Sequence, residues 1–270
     1  MKISIITACR NAAKTLGMTM ESVRRQRVDG FELEYIVVDG ASTDGTVEIV
    51  RDFDASLRNA AVPMSFRWIS EKDRNMYDGL NKGIRMASGD VVGIVNSDDA
   101  FAADDVLAKV AAFWKANPEI EASYGDVRFV RRGEFGDLDT LRQAKTKRYL
   151  TGRFFRNWMF RFATFPAHPS TFVRRACYEK FGLHSLEYRI CADFEMMLRL
   201  FVKHGITAKY LPLCTTVMRP DGLSTNGVQS KLDVNAQDLA ALRAHGIWSC
   251  KVLVYMKYLF KVWGYVFTRG

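Results

Sequence analysis

The 270-residue chain is poor in the side chains that usually build metal or redox centres. Its five cysteines (Cys9, Cys177, Cys191, Cys214, Cys250) form no CxxC pair, and its four histidines are equally dispersed. That scatter excludes a zinc-ribbon type site and a disulfide scaffold. It leaves the thiols as small core residues of a protein expected in a reducing cytoplasm. No GxGxxG follows the first strand-like segment, so a dinucleotide fingerprint is missing, and no GxxxxGK[ST] run exists to make a P-loop. Proline-rich, glutamine-rich and collagen-like tracts are lacking, as is a fixed-period repeat. No signal-peptide pattern precedes the first strand-like segment.

Apolar residues make up 48% of the chain, enough for a sizeable core. The formal net charge is +9, with the basic excess in the second half. Such a balance fits nucleic acid, an anionic membrane or phosphorylated ligands.

The first 130 residues alternate strand-like and helical segments. KISIITA, LEYIVVD, FRWISE, VVGIVNSDD and ASYGDVRFV read as buried strands. Helical spacing lies between them, as in MYDGLNKGIRMA and ADDVLAKVAAFWKANP, the latter stopped by Pro118. Continuous apolar strands separated by helices imply a mostly parallel, Rossmann-like α/β sheet covered on both faces. In such sheets ligands bind at the carboxyl ends of the strands.

Polar groups gather at those ends. The first strand runs out near Thr7 and Asn11, the second at Asp39, the third at Glu71 and Asp73, and the fourth at Asn96, Ser97, Asp98 and Asp99. Acids past three strands of one sheet repel one another unless a cation or hydrogen-bond donors offset them. The DGASTDG turn is not an EF-hand loop, because positions 41, 43 and 50 are alanine, threonine and valine. Asn96 and Asp98 are two residues apart and project together at a strand end. An oxygen pair of that kind suits Mg²⁺ or Mn²⁺ shared with substrate phosphates.

The ordered set TACRN, VVDGASTDGT, SEKDRNMYDGLNKGI and SGDVVGIVNSDDA resembles the inverting family 2 glycosyltransferases with the GT-A fold, of the bacterial envelope and exopolysaccharide type. The likeness runs from residue 3 to about residue 130. It implies that Asp39 contacts the base or ribose with Thr7 and Asn11 beside it, that Asp73 lies near the nucleotide, and that Lys82 reaches the site edge. It implies that Asp98 holds the metal while Asn96, with Ser97, faces the ribose. It further implies a nucleotide-sugar donor, with a UDP-sugar favoured, and a lipid-linked or glycan acceptor in polysaccharide or cell-envelope synthesis.

An inverting transfer needs a general base for the acceptor hydroxyl. In YRICADFEMMLRLFVKHG the apolar stripe Phe194, Met197, Leu198 and Phe201 marks a helix with Asp193 near its start, where the family's catalytic acid falls. Asp193 is therefore the expected base. Glu195, two positions on, points elsewhere on the helix. HPSTFVRR resembles a further family segment, which offers His168 and Arg174 to the diphosphate or acceptor.

Two acid-free stretches suggest a membrane partner. KTKRYLTGRFFRNWMFRFATF, residues 145–165, interleaves six Lys/Arg with aromatics. Stacking on single-stranded nucleic acid is one reading of such a run; beside a sugar-transfer site, a membrane interface is the better one. Residues 247–270 also lack acids. On a helical wheel Lys251, Lys257, Lys261 and Arg269 share one side, with Trp248, Val252, Tyr255, Leu259, Trp263 and Val266 opposite, accompanied by Met256, Phe260 and Phe267. Lysines at the bilayer centre cost ~2.5–3.5 kcal/mol each, so the helix is expected to lie in the interface or pack on the domain.

The expected organisation is a GT-A domain over 1–240, with a donor half over 1–130 and an acceptor half over 131–240, then an amphipathic helix over 241–270. The protein would sit at the inner face of the cell membrane and bind no nucleic acid. Two rivals remain open. A metal-dependent nucleotidyltransferase would want a glycine-rich basic loop after the first strand, which TACRNAAKTLG does not provide. A catalytically silent membrane-bound module would need neither Asp98 nor Asp193.

Overall fold

The structure is a computed structural model that describes residues 1–58, 62–131, 133, 135–219 and 227–266, without side chains at 227–229 and 261–266. In chain order its elements are β1 (Lys2–Cys9), α1 (Leu16–Arg24), β2 (Glu32–Asp39), α2 (Thr46–Arg58), β3 (Met64–Ser70), α3 (Met76–Met86), β4 (Val91–Ile94), β5 (Ala100–Phe101), α4 (Val106–Ala116) and β6 (Ala122–Val130). They continue with α5 (Leu138–Gln143), β7 (Thr146–Leu150), β8 (Thr171–Arg174), α6 (Arg175–Phe181), α7 (Ala192–Leu198), β9 (Ala208–Met218), α8 (Gly227–Ala244) and α9 (Lys251–Val266).

Among the described residues one sheet carries all nine strands in the order β3-β2-β1-β4-β8-β6-β9-β5, with β7 added to β6. β3, β2, β1 and β4 run parallel; β1, β2 and β4 are almost wholly buried, as interior parallel strands require, whereas β3 at the edge alternates between exposed and half-buried residues. Beyond β4 the directions mix: β8 is antiparallel to both β4 and β6, whereas β9 is parallel to β6. The sheet is therefore parallel through β3, β2, β1 and β4 and mixed beyond β4.

Side-chain alternation splits the core between the two faces. Ile3, Ile5, Tyr35 and Val37 pack with α1 and α4 on one face. Ile6, Ile36 and Val38 pack with α3 and α7 on the other. Gly83 lets α3 lie directly against Ile6, since a Cβ there would overlap the isoleucine side chain. Register aligns the strand ends that matter: Cys9 pairs with Asp39, and Asp39 with Ser70. The helices that follow each strand thus start from one common edge.

Among the described residues no helix is long and apolar enough to cross a membrane. α9 instead folds back onto α8, β7 and a short 3-10 turn at Asn157–Phe162. Lys257 does not share a solvent face with Lys251, as the wheel suggested. It is buried in an ion pair with Asp238 of α8, Nζ to Oδ2 2.7 Å. The apolar side of the wheel is the one left outside: Trp248, Val252, Tyr255 and Leu259 are exposed. Lys261, Trp263, Val266, Phe267 and Arg269 lie outside the described side chains. In the basic–aromatic stretch the aromatics divide as well. Phe155 and Phe160 are core residues, while Phe154 and Trp158 are exposed.

Candidate active site

Asp39 shows how the carboxyl edge is assembled. A charged side chain at the end of a buried strand needs donors, and its own turn supplies them. Asp39 Oδ2 accepts the Ser42 N–H at 3.0 Å and the Ser70 hydroxyl at 2.6 Å, while Oδ1 accepts the Ser42 hydroxyl. The turn closes through Ala41, whose φ of 57° is left-handed. Asn11, also left-handed at φ 51°, laces the β1–α1 loop to it. Its N–H donates to Ser42 Oγ at 2.7 Å, and its Oδ1 accepts the Thr43 N–H at 2.9 Å. Asp44 completes the clasp by accepting the Ala13 N–H at 3.1 Å and the Thr46 N–H at 3.2 Å.

Next along the edge, Lys82 of α3 reaches back to Asp73 at 2.7 Å and Glu71 at 2.8 Å. Burial pushes the Asp73 carboxyl up from its ordinary value, and the Lys82 ammonium opposes that shift. A Cβ on Gly79 would come within 2.8 Å of Asp73 Oδ2, and one on Gly40 within 3.1 Å. Asp73 thus sits between the Asp39 turn and α3, and both glycines make room for it.

Past β4 the chain turns through Asn96 to Asp99. Asn96 Nδ2 donates to Asp99 Oδ2 at 2.8 Å, and the Arg219 N–H donates to Asp99 Oδ1 at 3.3 Å. Burial, then the neighbouring Asp98, pushes Asp99 well above the usual carboxylate range. Ser97 and Asp98 are half-buried at the same turn.

Asp193 arrives from the second half at the second residue of α7. The Tyr77 hydroxyl, on the first turn of α3, donates to the Ile190 carbonyl and lies 3.2 Å from Asp193 Oδ1. α3 starts just beyond the carboxyl end of β3, so this contact ties Asp193 to the edge that carries Asp39 and Asp73. Burial raises the Asp193 carboxyl above its ordinary value, making it a better proton acceptor. Glu195 points away, into an ion pair with Arg199 at 2.9 Å and a contact with His245 Nε2 at 2.8 Å.

Several sequence expectations need correction. Thr7 is fully buried on the face of Ile3, Ile5 and Tyr35. Its hydroxyl donates to the Val95 carbonyl at 2.9 Å and accepts from Tyr35 at 3.1 Å, so it is a core residue with no surface for a nucleotide. Asn96 turns its amide to Asp99 rather than outward. Arg174 lies at the opposite edge: it pairs with Val91 at the start of β4 and binds the Ile120 and Pro118 carbonyls at 2.9 and 3.0 Å. β8 runs antiparallel, so its end is remote from the ends of β1 to β4. His168 opens the short 3-10 turn His168–Ser170 just before β8, its ring 6.1 Å from that of His184. Burial pushes it down to about 4, which favours the neutral imidazole.

Two further residues brace the surroundings of this edge: Asn81, which the family resemblance put with Lys82 at the site edge, and Asp126. Asn81 clamps the backbone of His184, donating to its carbonyl at 2.8 Å and accepting its N–H at 2.9 Å. Asp126 is buried on β6 and accepts from Tyr149 (2.9 Å), Tyr210 (3.0 Å) and the Gly152 N–H (2.8 Å). The one available hint was an acid inside the otherwise apolar ASYGDVRFV.

Residues 4–181 match the family described as Glycosyl transferase family 2. The chain belongs to that family and is a glycosyltransferase. It is 29% identical over 232 residues to a PGL/p-HBAD biosynthesis glycosyltransferase of Mycobacterium bovis (strain BCG / Pasteur 1173P2), covering 84% of this chain and 80% of the relative. It is 31% identical over 202 residues to an uncharacterized glycosyltransferase of Mycobacterium tuberculosis (strain ATCC 25618 / H37Rv), covering 73% and 68%. Among solved structures it resembles S. aureus TarS 1–349 in complex with UDP-GlcNAc, with a TM-score of 0.62, 18% identity and coverage of 90% of this chain and 66% of that one. Against the longer TarS chain the coverage falls to 40%. It also resembles the mannosyltransferase PcManGT of Pyrobaculum calidifontis in complex with GDP-Man and Mn²⁺, with a TM-score of 0.59, 18% identity and coverage of 98% and 72%. These likenesses identify the fold as GT-A.

Proposed function

We propose that this family 2 glycosyltransferase moves a sugar, with inversion, from a UDP-sugar to a lipid-linked or glycan acceptor in polysaccharide or cell-envelope synthesis. Asp193 takes the proton of the acceptor hydroxyl as that oxygen bonds to the anomeric carbon, and the nucleoside diphosphate leaves with the electrons of the broken C–O bond. The carrying observation is the placement of Asp193: a half-buried carboxylate with raised proton affinity, tied by Tyr77 to the edge that bears Asp39 and Asp73. The Asp39 turn and the Asp73–Lys82 pair form the nucleoside side of the cleft. TarS supports UDP as donor, since its complex holds UDP-GlcNAc.

Among the described residues no three His, Cys, Asp or Glu side chains cluster to hold a metal. The donor set still fits Mg²⁺ or Mn²⁺, which takes one or two carboxylates and completes its shell with water and substrate phosphate. Asp98 is the residue that would hold it. The ion would neutralise the charge of the departing diphosphate. Mn²⁺ in the PcManGT complex supports this choice.

The membrane reading gains from the way the two acid-free stretches meet. Trp158 packs on Phe162 at 5.8 Å, and Phe162 on Phe260 of α9 at 5.7 Å. Exposed Phe154, Trp158, Val252, Tyr255 and Leu259 thus lie beside exposed Arg153, Arg156, Arg161 and Lys251. That mixture suits a leaflet of anionic lipid. We retain the division into a transferase domain over 1–240 and a C-terminal appendage over 241–270, peripheral on the inner membrane face.

Asp193→Asn tests the base. UDP release from UDP-N-acetylglucosamine with Mn²⁺ and an envelope-lipid extract as acceptor is expected to fall at least ~100-fold, with donor affinity unchanged. Turnover at the wild-type rate removes Asp193 from the role.

A further inference from the structure

The placement of Tyr77 has a consequence for the base. Tyr77 is 1% exposed, so its hydroxyl serves neighbours rather than solvent. It has one hydrogen and two acceptors in reach, the Ile190 carbonyl and Asp193 Oδ1. Both oxygens only accept, so the single hydrogen is shared between them: the hydroxyl holds the backbone before α7 and donates to one chosen oxygen of the carboxylate. The tyrosine ring is itself held. It stacks on His184 with centroids 5.6 Å apart, and His184 is clamped by Asn81, one turn further along α3. The same helix carries Lys82, which pairs with Asp73 on the donor side. One helix therefore contacts both Asp73 and Asp193.

We infer that Tyr77 is a positioning residue for Asp193: its hydroxyl fixes Oδ1 and leaves Oδ2 to be presented to the acceptor hydroxyl. This rests on Asp193 being the base. Tyr77 neither receives nor supplies the transferred proton. Its hydrogen bond stabilises the ionised carboxylate, the form that must be present before transfer. The other groups facing Asp193 are Cys191 from its own turn and Asp238 of α8, the latter paired with Lys257 of α9. Cys191 donates to the Val234 carbonyl at 3.5 Å, and Asp238 accepts from Lys257.

The test is a ¹³C-carboxyl NMR titration of Asp193 in the full chain, its signal assigned by its loss in Asp193→Asn. Tyr77→Phe keeps the ring and its stack on His184 but removes the hydroxyl. The Asp193 midpoint is expected to rise by about half to one pH unit. UDP release from UDP-N-acetylglucosamine with Mn²⁺ is expected to fall about tenfold, with donor KM within a factor of two. A fluorotyrosine placed at position 77, with a more acidic hydroxyl, is expected to move the midpoint the other way, and it decides the matter if Tyr77→Phe does not fold. A midpoint unmoved in the variant that folds overturns the inference. Wild-type turnover by Asp193→Asn overturns the base reading instead, and the titration separates the two failures because it needs no activity.

Discussion

Replacing Lys257 by Met offers a sharp test of how the C-terminal helices are held. The Lys257–Asp238 pair has a 2.7 Å contact, and its side chains are 5% and 4% exposed. Burial already pushes the Asp238 carboxyl up, and the Lys257 cation is the first group opposing that shift. Lys257→Met keeps the length of the aliphatic stem but strands a carboxylate in the contact between α8 and α9. Breaking one side of a buried pair costs about 3–5 kcal/mol, because the remaining charge is uncompensated. The loss falls on the α8–α9 hairpin, which opens as a local unit. Amide hydrogen exchange followed by mass spectrometry should show peptides of α8 and α9 losing protection by at least ~100-fold, while β1 and β2 keep theirs. The double variant Asp238→Leu/Lys257→Met removes both charges, and its protection should return close to wild type, since apolar replacement of a whole buried pair is often neutral or stabilising. Exchange in Lys257→Met within a few-fold of wild type would refute the reasoning. So would a double variant as unprotected as the single one.

Glu34 gives a pH prediction. It is buried between Ser4, Ser88 and Arg67, and although burial alone would raise it, the two serines and the guanidinium hold it down, from 4.5 to about 2. A lowered carboxylate contributes stability that is complete above pH 4.5 and is lost as the pH falls toward 2. Glu34→Gln should flatten that acid limb in urea melts and cost about 3 kcal/mol at neutral pH; an unchanged limb refutes the assignment. Gly79→Ala would push a methyl into Asp73, and donor KM should rise several-fold with the melting temperature little changed; an unaltered KM would detach Asp73 from the nucleoside. Trp158→Ser and Leu259→Ser should each weaken sedimentation with phosphatidylglycerol vesicles roughly tenfold, and equal binding by both would remove this surface from membrane contact.

The sequence was most legible where one element dictates its own form. The runs IIT, YIVV and VVGIV admit little besides buried parallel strands, and they placed Asp39 and Asp98 at one edge. It misled where the answer depends on a second element. Thr7 closes an apolar strand and looks available, but it shares its parity with Ile3 and Ile5 and therefore points into the core. Arg174 looks close to His168 in sequence, yet an antiparallel strand carries it to the far edge. A helical wheel sorts Lys257 with Lys251, but it cannot show that Asp238, 19 residues earlier on another helix, waits to bury it. The Tyr77–Asp193 contact spans 116 positions, and only the folded sheet brings these residues together.

The most direct test of the central claim is calorimetric titration of UDP into the wild-type protein, Asp98→Ala and Asp193→Asn, each with and without Mn²⁺. The account predicts UDP binding that Mn²⁺ strengthens at least tenfold in wild type and in Asp193→Asn, with the Mn²⁺ effect abolished in Asp98→Ala. UDP affinity that ignores Mn²⁺ in all three proteins, or no UDP binding at all, would contradict it.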